Sequence, residues 1–373
     1  MSTAAPAWSA WKTSHPWGLG VEEEVMILET DSGELAQVDD DVLPRLERRL
    51  GGRVCSETHR GVVELVTAPH DTVGGIVGEL TATRAEIEAA LAPDGMCVAA
   101  AGTHPTATWE QTGVSSGGRH QLVLSTMAGL ARREPTFALH VHVGVPDPDD
   151  AVRLMGRLRR HLPLLLALSA NSPFWQGRDA GMASTRTLLF GAFPRTGLPP
   201  CLNDYDEWID AVDLLVRSEA IPDPTFLWWD VRPQPRFGTL ELRVMDTQTR
   251  TQDTAALVAL TQALARLELT DGTCDTPGPG AEQALLENRF LAARDGMDAE
   301  LIDAGTRTRR PVRAMLAEAL EATAAHAQDL GCAVELEGVA ALAREPGALR
   351  QRRLAAAGGG PEAVGGALAA QFT

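Results

Sequence analysis

The chain has 373 residues, 44% hydrophobic and 22% charged, the make-up of a soluble globular protein long enough for one large domain or two ordinary ones. Its formal net charge of −17 argues against non-specific binding to nucleic acid or to an anionic membrane, because phosphate surfaces recruit basic ones. A small anionic substrate in a locally positive site remains compatible with that charge.

Taken in chain order, residues 1–15 read as a flexible tail, with no basic stretch leading into an apolar one and hence no signal peptide. Residues 17–30 read as a strand that ends at the Asp31-Ser32-Gly33 turn, and 40–50 as a helix stopped by Gly51-Gly52. A strand with a break near Gly61 is expected over 57–69, a helix over 72–92 and a buried strand running into a loop over 96–105. Residues 135–150 alternate as a strand and then supply Pro/Asp chemistry that caps a helix over 150–170. The apolar run at 161–170 is too short to span a bilayer. Residues 171–187 read as a long loop, a length often associated with function. A helix over 206–218 and two strands around a Pro-rich connection over 225–249 come next. From 251 onward the pattern is helical, with a linker at 271–280 and a disordered tail at 355–373. The expected fold class is α+β, with one catalytic domain over 16–354 whose C-terminal helical part starts near 281.

Five cysteines (Cys55, Cys97, Cys201, Cys274, Cys332) are scattered and never spaced as CxxC, which fits reduced thiols in a cytoplasmic protein rather than a disulfide framework or a thiolate zinc site. Lys12 is the single lysine, and no GxxxxGK[ST] loop occurs. Any grip on phosphate or carboxylate must therefore come from Arg, backbone amides or a metal ion. GLGVEE does not complete GxGxxG, because Glu23 stands at the last position, so a dinucleotide fingerprint is rejected.

WGLGVEEEVMIL (17–28) embeds three carboxylates in an apolar strand. Residues two apart share a face, so Glu22 and Glu24 point one way and Glu23 the other. His140 and His142 share a face in LHVHVG, as do Glu241 and Arg243 in TLELRVMD, with Asp246 near the strand end. Glu57 and Glu64 have odd separation, and only a reset at Gly61 could align them. Each residue alone has a bland reading: an edge-strand Glu as a solvated face, an HxH as a satisfied pair, Glu241 with Arg243 as an ordinary ion pair. Four strand-like segments carrying Glu or His at period two make a joint case for a divalent cation. Mostly carboxylate with one imidazole is a hard donor set, suited to Mg²⁺ or Mn²⁺ and through it to the phosphates of ATP. Arg186, Arg232 and Arg243 are the candidate cations for a transferring phosphoryl group.

WGLGVEEEVMIL, ETHRGVVELVT, AGTHPTATW, HVHVGVPD, LLALSANSPFWQGRDAGMASTRT, WWDVRPQPRFGTLELRVMD and ENRFLAARDGMDAELI, in that order over about 17–305, resemble the type 2 glutamate–cysteine ligase family of carboxylate–amine ligases, within the glutamine synthetase-like superfamily. The resemblance implies a curved, mostly antiparallel sheet forming a funnel, with helices packed outside. It implies ATP-dependent amide formation through an acyl phosphate, with glutamate and cysteine as the default pair or another acid and amine of specialised metabolism. Small-molecule partners and a homodimer or larger assembly go with it. Carried over by position, Glu22, Glu24, Glu57, Glu64, His140 and Glu241 are metal ligands, and His142 and Arg243 contact ATP phosphates. Arg243, Arg186 and Arg232 are catalytic, and Arg186, Arg232 and Thr185 contact substrate. Two departures stand out: Thr185 where the family pattern has Tyr, and Phe137-Ala138-Leu139 in place of a Cys/Gly-rich lead-in. They point to an altered acid or amine pocket over intact metal strands. A metal-dependent hydrolase built on the HxH strand, and a phosphotransferase of the same fold, are the alternative readings.

Overall fold

The computed structural model describes residues 5–38, 41–132, 135–272 and 280–372. Its centre is a seven-stranded sheet, with strands numbered here within that sheet. They are β1 (Leu19–Glu29), β2 (Val54–Ser56), β3 (Val62–Val66), β4 (Met96–Ala99), β5 (Ala138–Gly144), β6 (Val231–Gln234) and β7 (Thr239–Asp246). The order is β6-β7-β5-β1-β3-β2, with β4 pairing the far end of β1, and each pairing is antiparallel.

Period-two patterning divides the sheet into two unlike faces. Val21, Val141, Leu240 and Leu242 face an apolar core shared with the helix Thr251–Thr270, most of whose residues are buried. The helices Val73–Leu91, Pro148–Leu158, Val312–Leu330 and Ala333–Arg344 pack around it. The opposite face carries the charged residues. Register brings them side by side: Glu22 opposite His140, Glu24 opposite Glu64, Glu241 opposite His142 and Arg232 opposite Glu241.

The expected break near Gly61 is a turn between β2 and β3, so the strand expected over 57–69 is only the short β3, with Glu57 in the connection before it. Glycine is required there, because a Cβ would lie 2.7 Å from Leu35 Cγ and 2.8 Å from the Ala36 carbonyl. Two further elements escaped the hydrophobic pattern: the helix Gly118–Met127 and the hairpin Glu300–Asp303 with Thr308–Pro311. Residues 273–279 of the expected linker, with Cys274, lie outside the described residues.

Both expected tails are corrected. Trp8 packs edge-on against Trp208 at 5.7 Å, Trp11 donates its indole N–H to the Val145 carbonyl, and Tyr205 donates to the Ser9 carbonyl. The paired Trp11 indole and Tyr205 hydroxyl, with the Trp8–Trp208 ring contact, fix residues 8–11 to the core. At the other end, Gly347–Ala357 and Val364–Ala369 are helical, and Val364, Leu368 and Phe372 are buried. Composition misleads there because glycine and alanine serve close approach: a Cβ on Gly365 would meet the Gly33 carbonyl at 2.7 Å. Among the described residues, no helix is long and apolar enough to cross a membrane.

Candidate active site

The charged face of the sheet floors a cleft of about 460 Å³ lined by Glu22, Glu24, Glu57, Glu64, His140, Arg186, Arg232, Glu241 and Arg243, among others. Glu22 is its hub. One carboxylate oxygen lies 2.9 Å from Nδ1 of His140, and the other 3.4 Å from Nε2 of His142. Nδ1 of His142 meets the Thr239 hydroxyl at 3.0 Å. Three sets of ligand atoms lie within 4.8 Å of one another: Glu22, Glu64 and His140; Glu22, His142 and Glu241; and Glu24, Glu57 and Glu64. The turn at Gly61 therefore does align Glu57 with Glu64. Glu23, on the reverse face, is fully buried against Arg84 and the Thr254 hydroxyl.

Proton affinities follow from this crowding. Burial pushes the Glu24 carboxyl up to about 8, with Glu57 beside it adding to the effect. Burial and the neighbouring Glu22 and Glu57 push Glu64 well above the carboxylate range. Burial would raise Glu22 as well, but its hydrogen bonds to His140 and His142 outweigh that and hold it well below the usual range. Burial lowers His140 to about 4. Burial alone would also lower His142, yet Glu22 and Glu241 beside it leave it raised.

The arginines divide by partner. Glu241 is held by Arg232 (Nε to Oε2, 2.8 Å), by Gln234 (2.8 Å) and by Arg243. Two guanidiniums keep the buried Glu241 carboxyl well below its usual range against the effect of burial. Arg186 stands in the first turn of the helix Thr185–Phe190, and Asp246 ties down the segment leading to it by accepting from Asn171 N at 2.9 Å, Ser172 Oγ at 2.7 Å and Ser184 Oγ at 2.9 Å. Ser172 Oγ in turn accepts from the Arg186 backbone N–H. Nε of Arg186 and Nε of Arg243 are buried without a hydrogen-bond partner among the described residues. Donors arranged in this way suit an anionic ligand.

Two sequence expectations sit differently. Thr185 does not line the cleft: it is buried at the start of the helix Thr185–Phe190, and its N–H donates to the Ser172 carbonyl. His142 meets the cleft through Glu22 rather than by lining it. Other lining residues had no sequence signal. Arg119, His120 and Val123 come from the unexpected helix Gly118–Met127, while Phe190, Phe193 and Trp228 form a wall of rings. Only tertiary packing brings these isolated residues to the carboxylates.

The donor set fits a hard divalent cation: five carboxylates and two imidazoles, with Nε2 of His140 buried and without a hydrogen-bond partner among the described residues. Binding would have to displace the protons held on Glu24 and Glu64. Mg²⁺ affinity is thus expected to weaken as pH falls from 8 to 6, by up to about tenfold per unit for each proton displaced. Proton release on adding Mg²⁺ to a weakly buffered solution checks this directly. A Glu24 raised from about 4.5 to about 8 also costs the metal-free fold stability as pH rises through that window, because the folded form holds a proton that the unfolded chain has lost. Mg²⁺ should therefore raise the melting temperature more at pH 8 than at pH 6. Equal shifts, with no proton release, would show that these carboxylates do not meet the ion.

A sequence profile described as glutamate–cysteine ligase family 2 matches residues 18–373. A protein of Rubrobacter xylanophilus, provisionally named glutamate–cysteine ligase 2-1, is 41% identical over 338 residues, covering 90% of this chain and 89% of that one. One of Sorangium cellulosum, provisionally named glutamate–cysteine ligase 2, is 38% identical over 341 residues, covering 90% of each chain. Among solved structures, a glutamate–cysteine ligase of Francisella tularensis in complex with AMP matches with a TM-score of 0.71 at 13% identity, over 97% of this chain and 90% of that one. A bifunctional glutathione synthetase of Pasteurella multocida matches with a TM-score of 0.69 at 14% identity, over 95% of this chain and 52% of that one. At such identities the two structures speak for the shared fold.

Proposed function

This chain belongs to glutamate–cysteine ligase family 2, and on that premise we propose that it is an ATP-dependent carboxylate–amine ligase working through an acyl phosphate. The observation that carries the reading is one cleft in which a carboxylate–imidazole floor meets the guanidiniums of Arg186, Arg232 and Arg243. In the first step a carboxylate oxygen of the acid attacks the γ-phosphorus of ATP. The bond from that phosphorus to the bridging oxygen breaks, and ADP leaves. The amine nitrogen then attacks the acyl carbon, the acyl carbon–oxygen bond breaks, phosphate departs with the electron pair, and the nitrogen gives up a proton.

Glu22, Glu24, Glu57, Glu64, His140 and Glu241 would hold Mg²⁺ or Mn²⁺, which when bound supplies charge neutralisation to the ATP phosphates. Arg243 faces the transferring group with its unpartnered Nε while Glu241 fixes its fork from the other side. Arg232, locked on the same Glu241, adds a second oriented positive charge. Arg186 contributes a third, and its place in the first turn of the helix Thr185–Phe190, bonded to Ser172, keeps it aimed without reorganisation. The catalytic unit takes in residues 8–11 and 347–372, because both segments pack on the core. A cytoplasmic location and assembly into homodimers or larger oligomers complete the proposal.

The test is ADP and phosphate release from Mg²⁺-ATP against a panel of acids with and without amines, the products read by mass spectrometry. Glutamate with cysteine is the first pair, after the names of the relatives. Free phosphate with an amide of matching mass is the expected result. A stable phospho-compound would instead mark a phosphotransferase, and turnover of an ester or amide without ATP a hydrolase. The geometry disfavours the hydrolase, since the candidate metal groups among the described residues are dominated by Glu. Arg243→Lys should lower kcat by about 100-fold, ~3 kcal/mol, because a point charge cannot replace a planar fork that holds Glu241 and the phosphoryl group together. Steady-state kinetics checks it, and a loss below about fivefold would remove Arg243 from that role.

A further inference from the structure

The strand β7 carries one extra residue. Leu242 pairs with Val141 and Met245 with Leu139, so three residues of β7 run against two of β5. Regular alternation would put Asp246 on the core face with Leu240 and Leu242. The bulge reverses that parity, and Asp246 pairs with Ala138 on the face of His140. There it is fully buried. Its Oδ2 accepts from the Asn171 N–H and the Ser172 hydroxyl, and its Oδ1 from the Ser184 hydroxyl.

A second element grips the same segment: the C-terminal helix Gly347–Ala357. The buried Gln351 donates from Nε2 to the Asn171 carbonyl at 2.7 Å and to Asn171 Oδ1 at 2.8 Å. Asn171 Nδ2 in turn donates to the Thr247 carbonyl at 2.9 Å, beside Asp246. The Ala348 N–H donates to the Ala170 carbonyl at 3.0 Å. Gly347 permits this approach, since a Cβ there would lie 2.1 Å from Asn171 Oδ1. Arg352 pairs with Asp179 through Nε at 2.7 Å and Nη2 at 2.8 Å, and donates to the Met182 carbonyl at 2.9 Å.

Arg186 stands at the end of this chain of bonds. Its backbone N–H donates to Ser172 Oγ at 3.1 Å, and the Thr185 N–H to the Ser172 carbonyl at 2.9 Å. The guanidinium is held less closely. Nη2 and Nη1 reach the carbonyls of Arg243 and Val244 in the bulge at 3.3 and 3.5 Å, and Asp246 Oδ1 lies 3.8 Å from Nη1. Nε has no hydrogen-bond partner among the described residues. The bonds at the base are short and those at the head long, so the base sets where the head lies. On the ligase reading above, we infer that Asp246 and Gln351 are positioning residues for phosphoryl transfer: together they fix residues 171–184 and through them place Arg186 in the cleft. Neither lines the cleft itself.

The test is steady-state kinetics of the full chain with Mg²⁺-ATP and the acid–amine pair that the ligase assay identifies. Gln351→Leu removes both bonds to Asn171 at nearly constant volume. It should lower kcat at least tenfold with KM for ATP within threefold, since a misplacement of about 1 Å can cost on the order of 10²-fold. Asp246→Asn should do the same. An Arg186→Gln background separates positioning from a general loosening of the fold. In that background Gln351→Leu should change kcat less than twofold, because the group it places is gone. Equal losses in both backgrounds would make the contact merely structural and overturn the inference with the ligase reading intact, and so would an effect confined to KM. If Gln351→Leu does not fold, Arg352→Gln, at a partly exposed ion pair, decides in its place. A loss of at least threefold that disappears in the Arg186→Gln background supports the inference, and equal losses overturn it. Amide from no acid in the parent would take down the ligase reading and this inference with it.

Discussion

Glu22→Gln is expected to lower Mg²⁺-ATP turnover by about 10²–10³-fold, on the order of 3–4 kcal/mol of transition-state stabilisation. The side chain belongs to two of the three candidate metal groups, and its two oxygens reach two different histidines. Glutamine keeps the volume and one acceptor oxygen but removes the charge. An amide nitrogen would then face either His140 or His142, and that histidine would lose the carboxylate oxygen it now meets. The loss should appear both in kcat and as a rise in the Mg²⁺ concentration needed for half-maximal rate. Unaltered Mg²⁺ dependence would show that the ion binds elsewhere. A loss in kcat alone would confine Glu22 to orienting the histidines.

The part of this site carried by regular strands was legible in the sequence. Glu22 with Glu24, and His140 with His142, lie on the shared faces that period two assigns them, and antiparallel register sets them side by side. Glu57 was ambiguous because parity fails across a turn. The antiparallel pairing of β2 with β3 shows that the chain reverses there, and the close approach of Leu35 and Ala36 explains glycine at position 61. Arg119, His120, Phe193 and Trp228 were silent for a different reason. They sit in short or irregular elements with no periodicity, and long-range packing alone brings them to the cleft. The ends of the chain failed through composition. Low bulk reads as disorder, yet a few anchors such as Trp8, Trp11 and Phe372 hold small-residue segments against the core.

Glu23→Gln tests the other face of the same strand and should give the opposite phenotype. Arg84 is fully buried and spends both Nε and Nη2 on Glu23, at 3.0 and 2.8 Å, while Nη1 and Nη2 reach the carbonyls of Thr249, Phe372 and Gln248. The Phe372 ring lies 4.4 Å from the guanidinium. This pair joins β1, the helix Val73–Leu91 and Phe372 behind the carboxylate–imidazole floor. Neutralising the carboxylate leaves a buried cation uncompensated, at a cost of about 3–5 kcal/mol. A lower denaturant midpoint with kcat per folded molecule within a few-fold of the parent is therefore expected. The double variant Glu23→Leu, Arg84→Met should recover much of the stability, because removing both charges also removes the penalty of burying either. Glu22 and Glu23 are adjacent in sequence, so any effect on local strand formation is common to both. A difference between turnover lost in one and stability lost in the other can then come only from which way each carboxylate points. If Glu23→Gln instead lost turnover on the scale of Glu22→Gln with its fold intact, the ion pair behind the sheet would be setting the candidate metal ligands in front of it, and the two faces would be one machine.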